Sequence, residues 1–217
     1  MSLVETTSPE SARAEARRRA ILEVACELFL AKGYAAVSMS EIATRLGGSK
    51  GTLYNYFRSK EELFAAFMID TCQGPSNEVF EHLPPVSDDL RGDLIDVAAS
   101  LLRFLFREPT MAIHRLVIAE AGRFPELGQI FYETGPKKGE LKLAAYIQQL
   151  MDAGQLRAGD AVKIGRWFKD LALSDIYTKR LWGVIDDPTP AVLRAHATEA
   201  VDIFLATFAS ASRPTPD

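Results

Sequence analysis

Apolar residues recur at spacings of three and four along nearly the whole chain, and alternating β-branched runs joined by hairpin turns are missing. The pattern predicts an all-α protein. A first helix is expected over about residues 14–32, with Ile21, Leu22, Ala25, Leu28 and Phe29 on one face and Gly33 as its stop. Ser38 and Glu41 form a capping box that opens a second helix, whose apolar face is Met39, Ile42, Ala43 and Leu46. Gly47-Gly48 ends it, and Ser49 caps a third short helix over 50–57 with Leu53 and Phe57 facing inward. Ser59 and Glu62 repeat the capping box and start a longer helix carrying Leu63, Phe64, Phe67, Met68 and Thr71 on one face. Gly74, Pro75, Pro84 and Pro85 are expected to end that helix and form a loop over 74–85. Further helices are predicted over about 88–107 (closed by Pro109), 110–122, a short piece after Pro125, 137–153, 160–182 and 190–209. The expected organisation is a disordered arm over 1–13, a three-helix helix-turn-helix domain over 14–70, and a larger helical domain over 71–212.

The two short helices and their Gly-Gly-Ser joint carry the candidate chemistry. Ile42, Ala43, Leu46, Leu53 and Phe57 make a small core that would fix the angle between the helices, and the glycines permit the turn. Outside that core the third helix leaves Ser49, Lys50, Gly51, Thr52, Tyr54, Asn55 and Tyr56. Thr52 and Asn55 can bond base edges, while Tyr54 and Tyr56 can bond phosphates or pack on sugars. The helix start, with Lys50, Arg58 and Lys60 nearby, suits phosphate, and Gly51 lets the backbone sit close to a duplex.

Charge sharpens this reading. The chain has 217 residues, 47% of them hydrophobic and 25% charged, with a net charge of −4 that by itself argues against nucleic acid. The charge is uneven. Residues 11–60 hold nine Lys/Arg against four Glu, a local net of +5, which leaves −9 for the rest. No secretory pattern opens the chain and no apolar run is long enough to span a membrane, so a cytoplasmic protein is expected. Cys26 and Cys72 form no metal-ligand spacing, Cys26 reads as a buried structural thiol, and His82, His114 and His196 are scattered, so neither metal nor cofactor is expected. Gly47-Gly48-Ser49-Lys50-Gly51 satisfies the G-x-S-x-G pattern of serine hydrolases. That motif requires a strand-to-helix turn, and a capped helix precedes it here.

The run from Gly33-Tyr34 through Ser38-Met39-Ser40-Glu41-Ile42-Ala43 to Leu46–Phe64 resembles the DNA-binding domain of TetR-family transcriptional regulators. Gly48 and Asn55 depart from it, since the family more often has an apolar residue such as valine at the first position and histidine or tyrosine at the second. The stretches Arg115–Glu120 and Arg123–Leu127 resemble the AefR-like C-terminal subtype. The resemblance implies a non-enzymatic dimer that binds a palindromic double-stranded DNA operator and is released by a small, largely apolar effector. The DNA-binding set would be Ser38, Ser40, Ser49, Lys50, Gly51, Thr52, Tyr54, Asn55, Tyr56 and Lys60. Other readings are an activator, a regulator without a ligand, and a helical enzyme or small-molecule carrier.

The last two predicted helices are apolar over more than one stripe and must bury two sides. One side can face their own domain and the other a second subunit, and in the family these helices form the dimer. Phe168, Leu171, Val201, Phe204, Leu205 and Phe208 are the expected interface. The resemblance also implies an effector pocket in the body, for which Phe104, Met111, His114, Tyr132, Tyr146, Trp167 and Tyr177 are candidate lining residues. Arg115 and Glu120 read as a structural ion pair or as surface charges.

Overall fold

Eleven helices account for almost all of the regular structure in the computed structural model, which describes residues 9–210 and, within them, every side chain outside 9–10 and 72–78. Among the described residues, extended pairing is confined to one antiparallel bridge, Leu156 to Ala209. The N-terminal head is α1 (Pro9–Lys32), α2 (Met39–Arg45) and α3 (Lys50–Tyr56). α4 (Lys60–Glu81) leads into the body, made of α5 (Leu90–Phe106), α6 (Glu108–Glu120), α7 (Pro125–Thr134), α8 (Pro136–Asp152), α9 (Ala161–Leu173), α10 (Ile176–Leu181) and α11 (Pro190–Phe208).

Three boundaries differ from expectation. α1 starts at Pro9, so the end of the predicted arm is helical, and residues 1–8 lie outside the described residues. Proline at the first helical position followed by Glu10 is a start signal, because proline lacks only an N–H that would be orphaned there. α4 runs through Gly74-Pro75 to Glu81, where Val79 is buried and Phe80 packs on the body core. That burial outweighs the one ladder bond proline forfeits. The predicted helix over 160–182 is two helices, broken at Ser174-Asp175. Ser174 Oγ donates to Leu171 O (2.7 Å), and Asp175 takes a left-handed φ of 59° while its carboxylate holds Lys179 at 2.6 Å. Short polar side chains that bond locally compete with the helix ladder.

Two cores organise the chain. In the head, Phe29, Tyr34, Phe64 and Phe67 form a continuous aromatic cluster with centroids 5.3–6.1 Å apart. Ile113, Leu116, Val117 and Leu127 from α6 and α7 belong to the same core, so head and body share packed side chains. The second core lies between α5, α8, α9 and α11. Arg91–Asp202 (2.7 Å) and Arg194–Asp96 (2.6 Å) tie α11 to α5 at the surface. Exposed pairs of this kind contribute little, so the packing of Leu193, Ala197, Val201 and Phe204 fixes α11.

That packing divides the residues expected at the interface into two groups. Phe168, Val201 and Phe204 are buried inside their own protomer and have no surface left for a partner. Leu171, Leu205 and Phe208 are half-buried. The large exposed apolar residues on the same helices are Trp167, Val192 and Ile203.

Candidate nucleic-acid interface

Local hydrogen bonding sets the head. Ser38 caps α2 by accepting from Glu41 N (3.2 Å), Ser49 caps α3 by accepting from Thr52 N (3.1 Å), and Ser59 caps α4 by accepting from Glu62 N (3.1 Å). Gly47, at φ 64°, makes the left-handed turn between α2 and α3, where a side chain would be strained. Ile42, Ala43, Leu53 and Phe57 are buried behind the turn. The Ser49 hydroxyl is therefore a helix cap that also meets Thr52 Oγ1 at 2.9 Å, and a helix rather than a strand precedes it. The geometry of a hydrolase nucleophile is absent there.

The outer face of α3 presents Ser49, Lys50, Gly51, Tyr54 and Asn55 to solvent, with Thr52 half-exposed beside them. Ser38 is exposed at the start of α2, and Ser40 is half-buried, its carbonyl accepting from Thr44 Oγ1 (2.9 Å). Tyr56 is half-buried and packs on the head core, so only part of its ring faces outward. α3 is seven residues long and one of its leading N–H groups is spent on Ser49, so its exposed side chains rather than its dipole are what it offers a partner.

Lys60, expected to meet phosphate, is engaged within the protein. Its ammonium donates to Tyr34 O (2.9 Å) and Val37 O (3.0 Å) and lies 4.0 Å from the Tyr34 ring centroid. Burial pushes its pKa down. Lys60 holds the α1–α2 loop closed. Lys60→Met is expected to destabilise the protein by about 2 kcal/mol through loss of these charged hydrogen bonds, and to leave the salt dependence of DNA binding unchanged. A flatter salt slope at an unchanged melting temperature would return Lys60 to the phosphate contacts.

Other cations of the basic segment are engaged as well. Lys32 bonds Glu41 at 2.5 Å, Arg45 lies 3.9 Å from Glu27, and the Arg18 guanidinium stands 5.5 Å from the Phe57 ring centroid. Sequence reasoning overlooked Arg17, which lines the crevice between α1 and α3 with Ile21, Ala43, Gly48, Ser49 and Thr52. Its i, i+4 relation to Ile21 could have found it.

The body residues separate into groups. His114 on α6 and Tyr177 on α10 are hydrogen-bonded, with Phe131 edge-on to His114 and Phe106 edge-on to Tyr177. Burial lowers the His114 pKa to about 4 and raises that of Tyr177 to about 12. Met111 is fully buried and Phe104 half-buried. Tyr146 lies in the second core, and its hydroxyl has no hydrogen-bond partner among the described residues. Tyr132 and Trp167 stand apart from any interior lining. Tyr132 is exposed, and Trp167 stacks on Phe208 (5.5 Å) beside an open cleft of about 330 Å³ bordered by Arg157, Asp160 and Lys163.

Arg115 and Glu120 are structural, though not with each other. Arg115 donates to Arg180 O and Leu181 O at the end of α10 (3.1 Å each) and pairs with Glu108 (3.0 Å). Glu120, one helix end further on, accepts from Ala35 N (3.2 Å) in the head loop. α6 thus joins α10 to the reading head.

A family model of bacterial regulatory proteins of the TetR family matches residues 21–67, and the AefR-like transcriptional repressor C-terminal domain matches 92–210. A TetR-family transcriptional regulator from Mesorhizobium loti is 30% identical, superposes with a TM-score of 0.79 and covers 91% of this chain and 98% of its own. The flavonoid-responsive regulator FrrA is 29% identical, with a TM-score of 0.80 over 93% of this chain and all of its own. The HTH-type transcriptional regulator YdeS of Bacillus subtilis is 30% identical over 67% of this chain and 70% of its own. No helix among the described residues is long and apolar enough to cross a membrane. Helix-turn-helix geometry, exposed recognition face and matched domains agree, and the chain belongs to the TetR family of non-enzymatic, DNA-binding transcriptional regulators, with an AefR-like C-terminal domain.

Proposed function

We propose that the protein is a cytoplasmic, homodimeric repressor that binds a palindromic operator and releases it when a small, largely apolar effector enters the body. The observation that carries this reading is α6. It bears the half-buried His114–Tyr177 pair, holds the end of α10 through Arg115, and bonds the head loop through Glu120. An effector that parts His114 from Tyr177 shifts α6 against α10 and strains the Glu120–Ala35 bond, so its binding free energy favours a different placement of the head. The neutral His–Tyr pair, framed by Phe106 and Phe131, suits an uncharged aromatic ligand bearing a hydroxyl. The similarity to a flavonoid-responsive regulator supports that class. The dimer rests on the exposed apolar residues of α9 and α11, and the repressor role on the matched AefR-like repressor domain.

The test combines thermal shift and DNA release. A panel of flavonoids and simpler phenols is screened for compounds that raise the melting temperature, and those are added to the complex with the duplex upstream of the protein's own gene. Release of DNA is expected, with the effect lost in a His114→Phe, Tyr177→Phe double variant. Stabilisation with DNA still bound would favour an activator instead.

A further inference from the structure

We propose that Arg17 of α1 contacts a DNA phosphate beside the recognition helix, a role that rests on the head's DNA binding, and that the guanidinium needs the space a side chain at Gly48 would fill. A Cβ built on Gly48 would lie 2.7 Å from Arg17 Nη2, so the guanidinium sits over the α2–α3 turn where a larger residue would stand. Ile21, one turn along α1, is 1% exposed, which anchors the stem below that position. Arg17 forms no hydrogen bond or ion pair with another described residue, whereas Lys32 and Lys60 are both held internally. Half-exposed and without a counter-charge among the described residues, the guanidinium borders exposed Ser49 and is open to an anion from outside the protein. Its planar fork of donors fits phosphate oxygens. With α3 in the major groove, groups flanking its start face the strand backbone, where contacts position the head without reading sequence.

The experiment measures binding of the full-length protein to a labelled duplex of arbitrary sequence by fluorescence anisotropy, at salt concentrations between about 50 and 200 mM. Arg17→Met keeps the apolar stem and removes the charge. It is expected to flatten the slope of log affinity against log salt by about 0.9 for each bound head, with the melting temperature unchanged. Arg17→Lys should keep the slope. Gly48→Ala meets only the mobile end of a side chain, so it should fold normally, push the guanidinium aside and lose the same slope. Combined with Arg17→Met it should add nothing further. A wild-type slope in Arg17→Met, alongside a flattened one in Lys50→Ala, would overturn the Arg17 contact alone. Additive losses from Gly48→Ala and Arg17→Met would overturn the shared space. Salt-independent binding by the wild-type protein would instead count against the head as a DNA-binding surface.

Discussion

Replacing Ile203 with glutamate is expected to turn the proposed dimer into monomers and to lower affinity for an operator duplex by roughly 100-fold or more, because each head then binds without a tethered partner. Ile203 is 57% exposed on α11 although the residue beside it, Phe204, is fully buried. Val192, Ala195, Glu199, Ile203 and Ala206 are all exposed and follow one another at steps of three and four, so they form a single stripe along α11. Trp167 on α9 adds an exposed ring that already stacks on Phe208. Ala195 and Ala206 are the small members of the stripe and would let two copies of α11 approach about a two-fold axis. A carboxylate at Ile203 would put a second acid one turn from Glu199 on the stripe, so the proposed pairing would bring like charges together and lose its apolar contact. Ile203 contributes little to the protomer core, so the variant should remain folded. Sedimentation equilibrium and anisotropy on the same preparation check the two effects together. A variant that still sediments as a dimer would place the interface elsewhere.

The second large effect is on stability at acid pH. His114 titrates near 6.5 when unfolded and near 4 in the folded protein, because burial disfavours its charged form. Between these values the unfolded chain binds a proton that the folded chain refuses. The stabilisation is therefore complete above pH 6.5 and is lost as pH falls towards 4. Over that window the loss amounts to roughly 2–3 kcal/mol. The groups facing the imidazole are the Tyr177 hydroxyl and the Phe131 ring, and burial is what disfavours its proton, with no acidic partner for it among the described residues. In the His114→Phe, Tyr177→Phe double variant the paired polar groups leave together, so no buried hydroxyl is orphaned. Melting curves across this pH range should show a shallower decline for the double variant than for the wild type. Parallel declines would mean that His114 is protonated in the native protein.

Much of the fold was legible because its signals are local. The capping serines at 38, 49 and 59, and the apolar spacing of Ile42, Ala43, Leu53 and Phe57, are properties of neighbouring residues, and the structure places those elements as expected. The recognition face followed from the same spacing, since what remains outside a small core must face out. The misses were long-range. Whether Gly74-Pro75 ends a helix depends on what Val79 and Phe80 can bury against, and that surface is made by distant segments. Lys60 reads as a phosphate ligand by charge and position, and its bonds to carbonyls 23 and 26 residues away are invisible to that reading. The double apolar stripe on α11 was readable, while the choice of Phe204 for the core and Ile203 for the outside depends on how α5 and α9 pack around it. Glu120 likewise bonds Ala35 at a separation of 85 residues, which no periodicity reports.

The central claim, a regulator that reads DNA through two symmetric copies of α3, is tested most directly by selecting bound duplexes from a randomised library with the full-length protein. The account predicts enrichment of a two-fold symmetric site with half-sites about one helical turn apart, bound with steep salt dependence, and loss of sequence preference at specific positions in Asn55→Ala. Enrichment of no sequence, or of an asymmetric site bound equally well by the Ile203→Glu monomer, would contradict it.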